Sequence, residues 1–322
     1  MSSRPLKLVG VTALAAVSLL VSGCGGQNNA GSGSGSAGAI SGTVTVDGSS
    51  TVAPLSEAAA DLFRSVEPGV NVTVATAGTG GGFQKFCAGE TDISDASRPI
   101  KDEEAEACKG KGIDYTELIV ANDGLSVVVN PENTWATCLT VEQLKTIWSP
   151  ESEGKIKNWN QVDKSFPDQP LTLFGAGTDS GTFDYFTEAI NGEEGASRTD
   201  YSPSEDDNVT IQGVTGDKGA VGYFGLSYVE QNPDAVKAVE IDGGGGCVAP
   251  SKGTVQDKSY KPLARPLFIY VKNSSYKDNA AVRSYVDFYI ENEAQVAEEA
   301  LFVGLTPEQK KTAQDELGSI AG

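Results

Sequence analysis

No histidine occurs anywhere in the 322 residues. That single absence removes Ser-His-Asp and Cys-His nucleophile pairs, histidine-ligated metals and imidazole acid/base chemistry. Basic residues are scarce: 24 Lys and Arg stand against 44 Asp and Glu, a formal net charge of −20. Nucleic acid is excluded as a partner, because binding it needs a basic face, and the acidity is read as a solubility device. No CxxC pair is present, so the five cysteines do not read as a thiolate zinc cluster. After one short apolar run near the N-terminus, no second run is long enough to span a bilayer.

What is present begins with that run. Arg4 and Lys7 precede apolar residues 8–21, and Val21-Ser22-Gly23-Cys24 follows. The pattern predicts a bacterial export signal over residues 1–23, ending at a lipoprotein cleavage box with Cys24 as the lipid-bearing first mature residue. Residues 25–41 carry only small and polar side chains apart from Ile40, and read as a flexible tether spanning on the order of 23 Å. The remainder is long for one core and suits two lobes. Four cysteines are left after Cys24: Cys87, Cys108, Cys138 and Cys247. An even number outside the cytoplasm predicts two disulfides in one of three connectivities. Containment within lobes favours Cys87 with Cys108 and Cys138 with Cys247.

Three stretches repeat one pattern of β-rich run, Gly/Ser/Thr turn and amphipathic helix. The runs are 43–46, 70–74 and 171–174; the turns are 47–51, 77–82 and 175–182. Strands alternating with helices indicate an α/β fold with mostly parallel sheets. Two continuous apolar runs stand apart: 118–129, passing through Asn122-Asp123-Gly124, and 266–271. Read as two crossings between lobes that serve as a hinge, they give a discontinuous first lobe, 42–124 plus 265–322, around a second lobe, 125–264. The segment 280–301 is predicted as one helix with Val282, Tyr285, Val286, Phe288 and Tyr289 inward.

A helix that starts in Gly, Ser and Thr presents unpaired N–H groups, the positive dipole end and a hydroxyl, which together bind anions. One such start is ordinary capping. Three of them after strands mark a ligand cleft, since open α/β sheets bind at the carboxyl ends of strands. If they converge, Ser50, Thr51, Thr79, Gly80, Ser180, Gly181 and Thr182 surround one small oxyanion. Arg98, in the loop Ser97-Arg98-Pro99, is the candidate forked donor. The competing reading pairs Arg98 with a nearby carboxylate such as Asp95.

The loops Gly48-Ser49-Ser50-Thr51-Val52-Ala53-Pro54, Gly78-Thr79-Gly80-Gly81-Gly82, residues 92–99 and Thr178-Asp179-Ser180-Gly181-Thr182-Phe183 resemble the binding loops of PstS-type phosphate-binding proteins. The likeness is greatest to their SphX-like branch, and it extends over Asn158-Trp159-Asn160, Gly222-Tyr223-Phe224 and Arg265-Pro266-Leu267-Phe268-Ile269. The resemblance implies a two-lobed clamp, the type II periplasmic-binding-protein fold, which closes on inorganic phosphate. It implies delivery to an ABC-type permease from a lipid-anchored monomer facing the periplasm or cell exterior, without cofactor or metal. Carried over loop by loop, it implies a hydroxyl from Ser50, a backbone N–H from Thr51, a hydroxyl from Thr79, and further donors from Ser180, Gly181 and Thr182. Two positions depart from the family's better-known members. Ala176 stands where they carry an arginine, making Arg98 the expected replacement. Ser97 stands where they carry the aspartate that accepts the ligand's proton; Asp123 is the first candidate for that role and Asp179 the second.

Other chemistries fit less well. Asp179-Ser180-Gly181-Thr182 matches an aspartic-protease motif, but no second copy supplies the partner carboxylate. Residues 78–82 lack the Gly-Lys-Ser/Thr ending of a P-loop. A phosphatase lacks its metal site or cysteine loop. The expectation is therefore a binding protein and no enzyme. The alternatives are a carrier of sulfate, molybdate or tungstate, and a phosphate-sensing surface lipoprotein.

Overall fold

The computed structural model describes residues 40–178 and 180–321, so the export segment, Cys24, most of the tether and Asp179 lie outside the described residues. No helix among the described residues is long and apolar enough to cross a membrane.

The strands are β1 (Gly42–Gly48), β2 (Val70–Ala75), β3 (Ile93–Ala96), β4 (Tyr115–Val129), β5 (Cys138–Thr140), β6 (Thr172–Ala176), β7 (Ser202–Ser204), β8 (Ala220–Gly225), β9 (Lys237–Ala238), β10 (Glu240–Asp242), β11 (Cys247–Val248) and β12 (Ala264–Lys272). The main sheet runs β2-β1-β3-β12-β4-β8-β6-β7, with β9 beside β4, and a small sheet runs β11-β10-β5. Pairing is parallel among β1, β2 and β3 and among β6, β7 and β8. The crossing strands β4 and β12 are antiparallel to each other and to their flanking neighbours. A chain that leaves one lobe and returns must run in opposite directions through the hinge.

β4 is one uninterrupted strand of 15 residues, so the run through Asn122-Asp123-Gly124 is continuous as expected. Gly124 is required by a close approach: a Cβ there would lie 2.4 Å from a methyl of Val255. One apolar core draws on residues 44–121 and 267–320, including Leu55, Phe63, Tyr285 and Val286. A second draws on residues 125–263, including Trp148, Phe186 and Tyr223, together with Val303. Each fully buried aliphatic side chain in these cores contributes about 1.5–3 kcal/mol.

Val303 belongs to a third tie between lobes. Its N–H and C=O pair with Asn122 at 3.0 and 2.7 Å, Ser227 donates to the Leu301 carbonyl at 2.6 Å, and Gln256 donates to the Gly304 carbonyl at 2.9 Å. Residues 301–304 thus strap the crossing strand β4 to helices of the second lobe. Leu301 adopts φ +62°, a left-handed conformation that costs a non-glycine residue on the order of 1 kcal/mol or more. The expected single helix over 280–301 is two, Ala280–Glu291 and Glu293–Glu299. Asn292 breaks it by turning its side-chain amide back onto the Phe288 carbonyl at 2.8 Å.

Both disulfides take the within-lobe pairing, Cys87 with Cys108 and Cys138 with Cys247. The first joins the helix Gly78–Ala88 to the helix Asp102–Gly110, and the second joins β5 to β11.

Candidate functional site

The Gly-rich stretch 78–82 is helical rather than a turn, because the helix Gly78–Ala88 starts at its first glycine. Glycine is a poor helix former, and its use here is steric. A Cβ at Gly82 would fall 2.5 Å from Gly48 Cα and 3.0 Å from the Asp47 carbonyl, so the helix lies flush on the end of β1. Asp47 also accepts from the Ala77 N–H at 2.9 Å and pairs with Lys85. The first helix start is tied by Ser49, whose carbonyl accepts the N–H of Val52 and Ala53 and whose hydroxyl accepts that of Thr51. At the third, Ser180 caps the helix Gly181–Asn191 by accepting the Thr182 N–H at 3.1 Å. That N–H is therefore engaged, while the Ser180 proton remains to donate.

The first of these starts, through the Thr51 hydroxyl, meets a guanidinium carried by a crossing strand. Arg265 on β12 lies opposite Asp123 on β4. Its Nε reaches Asp123 Oδ2, its Nη1 the Ser97 carbonyl and its Nη2 the Thr51 hydroxyl, each at 3.3 Å. Its Cζ sits 3.6 Å from the ring centre of Tyr185, a residue of the second lobe whose hydroxyl donates to the Pro262 carbonyl. The Arg265 side chain is only 12 % exposed and that of Asp123 6 %. Charge-assisted bonds normally close to about 2.7–2.9 Å, so contacts of 3.3 Å hold this cation loosely. An anion offering several oxygens competes well for such donors. Burial pushes the Asp123 carboxyl up, against the opposing pull of Arg265 and of the Gly124 N–H.

Around Arg265 the expected residues fall into two groups. Ser50, Thr51, Asp123, Ser180, Gly181 and Thr182 line one cavity of about 200 Å³. Within it the lobes touch: a Cβ at Gly181 would lie 2.2 Å from the Thr51 hydroxyl and 2.9 Å from its N–H nitrogen. Thr79, Ser97 and Arg265 do not line that cavity; Arg265 borders it through its contacts to Asp123 and Thr51, which do. The Thr79 and Ser97 hydroxyls are 3.0 Å apart, the Ser97 N–H donates to the Thr79 hydroxyl at 3.2 Å, and the Ser97 carbonyl holds Nη1 of Arg265.

Arg98 behaves differently from the expectation. Both its Nη groups bind Glu104, at 2.9 and 2.8 Å, and Nη1 also donates to the Pro99 carbonyl. The carboxylate partner is thus Glu104 and not Asp95, and the fork is already filled. Gly80 lies beside this pair: a Cβ on it would be 3.9 Å from Arg98 Nη2 and from Glu104 Oε1. Asp179, the second candidate proton acceptor, is outside the described residues.

Two residues at the cavity, one beside it and one lining it, were not expected as ligand contacts. Arg265 opens an apolar run and becomes a site residue only through its register with Asp123. Asp207 lines the cavity from the first position of the helix Asp207–Gly216. Burial, with Asp206 and Glu205 beside it, raises its carboxyl to about 6.

Residues 33–293 match the model of the PBP superfamily domain. The protein SphX of Synechocystis sp. is 48% identical over 266 residues, covering 83% of this chain and 79% of that protein. The phosphate-binding protein PstS of Staphylococcus epidermidis is 41% identical over 312 residues, covering 97% of this chain and 92% of that one. Among solved structures, one described as a possible phosphate binding protein from Planctomyces limnophilus superposes with a TM-score of 0.82 at 48% identity, over 88% of this chain and 100% of that chain.

Proposed function

Since this chain belongs to the PBP superfamily, we propose that it binds inorganic phosphate in the cleft between its lobes and delivers it to an ABC-type permease. The relatives named above support the ligand, one of them being a phosphate-binding protein PstS. The observation that carries the reading is the loosely held, nearly buried Arg265, which reaches Thr51, Ser97 and Asp123 while stacked on Tyr185 of the opposite lobe. Arg265 supplies the fork, Thr51 and Ser180 supply hydroxyl donors, the Thr51 N–H expected as a donor being held by Ser49, and Thr79 orders the Ser97 loop. Ser50, Gly181 and Thr182 complete the wall, and closure brings the wall together.

Carboxylates in an anion site serve selectivity. Phosphate near neutral pH keeps a proton to donate, whereas sulfate has none, so a charged acceptor favours the first and repels the second. Asp123 and Asp207 both line the cavity and fit that role. Asp123 is already shared with Arg265, which leaves Asp207 freer to face the ligand. The rest of the proposal is export and lipid attachment at Cys24, a tether over residues 25–41, and action as a monomeric carrier of phosphate with no catalytic step.

Calorimetry with phosphate and with sulfate tests the assignment. Phosphate is expected to bind far more tightly; equal affinities would remove phosphate as the ligand. Small-angle scattering should register compaction on adding phosphate, and an unchanged profile argues against the clamp.

A further inference from the structure

Asp95 takes no part in the cleft, yet it is a fully buried carboxyl of the first lobe with one oxygen lacking a partner among the described residues. It sits in β3 with no exposed surface. One oxygen, Oδ1, accepts from the Ser56 hydroxyl at 2.9 Å; the other, Oδ2, has no hydrogen-bond partner among the described residues. The ionisable groups that face it come from three elements: Asp47 of β1, Glu57 of the helix Ala53–Arg64, and Tyr285 and Tyr289 of the helix Ala280–Glu291. None of these is a cation, and the nearby Lys85 is paired with Asp47. A carboxylate in such a place lacks the partners that a buried charge requires, so it is carried as the neutral acid. Burial and the neighbouring acids push it up to about 8, against the weaker opposing effect of the Ser56 hydrogen bond.

The backbone of the same residue seats the binding loops. The Asp95 carbonyl accepts the Ser49 N–H at 2.9 Å, and a Cβ at Gly48 would lie 2.1 Å from that carbonyl oxygen. Ser49 in turn holds the N–H of Thr51. On the other side, Ser97 follows two residues later and its carbonyl holds Arg265. A charge at Asp95 that draws water or a cation into the core displaces this seat, and with it both loops.

We propose that Asp95 is a positioning residue of the cleft, and that loss of its buried proton sets an alkaline limit on phosphate affinity and weakens the first lobe. The affinity half rests on the phosphate reading above; the stability half does not. The sign follows from linkage. The folded-state acid is raised above the ordinary value of 3.8, so its contribution to stability is complete below about pH 4, declines as pH rises and is gone above about pH 8. If only the neutral form seats the loops, affinity falls about tenfold per pH unit above that point.

The test compares the wild type, Asp95→Asn and Ser56→Ala in thermal melts and phosphate calorimetry between about pH 5 and pH 9.5. Asp95→Asn keeps the neutral shape without the proton. Relative to it, the wild type should lose melting temperature steadily toward pH 8 and lose about tenfold in affinity by pH 9. The titration of phosphate itself is common to both proteins and cancels. Ser56→Ala removes the one donor that favours the charged form, so its alkaline inflection should move to higher pH. That second variant decides the matter if Asp95→Asn does not fold. Superimposable pH profiles for wild type and Asp95→Asn, or an inflection moving downward in Ser56→Ala, overturn the proposal. Absence of phosphate binding at every pH overturns the function instead, and the melting series still judges Asp95.

Discussion

Arg98 and Arg265 both adjoin Ser97, one along the chain and one through its carbonyl, and they are held in opposite ways. Arg98 is bound at short range by Glu104, six residues along the chain, in a two-pronged ion pair of 2.8 and 2.9 Å. Arg265 is bound by partners 142, 168 and 214 residues away, each contact stretched to 3.3 Å. A guanidinium saturated by a carboxylate is structural, whereas one held loosely by two neutral oxygens and one shared carboxylate is ready for a better acceptor. The local motif points to the first arginine; only the pairing of the two crossing strands discloses the second.

The largest expected effect follows from that contrast. Arg265→Ala should lower phosphate affinity at least about a hundredfold, the scale of losing charge-assisted bonds to an anion. Because the substitution also leaves Asp123 buried without its cation, the double variant Arg265→Ala/Asp123→Asn should recover stability in a melt but not binding in calorimetry. Near-normal affinity in a folded Arg265→Ala protein reverses the ranking of the two arginines. Next in size is Gly181→Ala, whose new Cβ meets the Thr51 hydroxyl at 2.2 Å and the Thr51 nitrogen at 2.9 Å. Backbone atoms cannot swing aside, so the lobes should stop short of closure, with affinity down about tenfold and scattering compaction reduced. Full compaction in this variant would place the lobe contact elsewhere.

Local chemistry was readable where neighbouring residues define it. Strand, turn and helix alternate visibly around Ser50, Thr79 and Ser180, and confinement of each cysteine pair to one lobe anticipated both bridges. What depends on register was not readable. Nothing in Arg265-Pro266-Leu267 tells which residue of β4 it will face, and Asp207 reaches the cavity only because its helix starts at the cleft. Glycine misled once. The run 78–82 has turn composition yet forms a helix, and the absent side chain of Gly82 lets that helix lie on β1. The continuous run through Gly124 is one strand, as read, with Gly124 making room for Val255. At Asn292 a side-chain hydrogen bond to the Phe288 carbonyl outweighed an unbroken amphipathic pattern.

A smaller effect should sharpen the comparison from the anionic side. The carboxyl of Asp207, raised to about 6, is charged above that pH and protonated well below it. Asp207→Asn should therefore shrink the preference for phosphate over sulfate several-fold at about pH 7.5, chiefly by admitting sulfate. The same substitution should change little near pH 5, where the wild-type group has already lost most of its charge. Its own stability contribution is present below about pH 4 and lost by about pH 6 as pH rises, so the variant should melt no lower than the wild type at neutral pH. A selectivity ratio that ignores the substitution at both pH values leaves Asp123 as the remaining candidate acceptor.

The smallest effect on binding is expected from Arg98→Ala. The Arg98 side chain is 24% exposed and that of Glu104 15%, so the pair lies between a surface and a fully buried one. Its loss should cost about 1–2 kcal/mol of stability, much of it from leaving Glu104 without its partner. Burial alone would raise the Glu104 carboxyl; the Arg98 hydrogen bond and the Lys101 N–H reverse that and hold it below the ordinary range. The pair therefore stabilises the fold above the normal glutamate range and fades in acid, so wild type and variant should converge as pH falls below about 4. Phosphate affinity in the folded variant should stay within about threefold of wild type, since neither Nη group is free to leave Glu104 for a ligand. A loss as large as that of Arg265→Ala, with the melt unchanged, would mean that Arg98 releases Glu104 when phosphate arrives, and the two arginines would then act as one clamp.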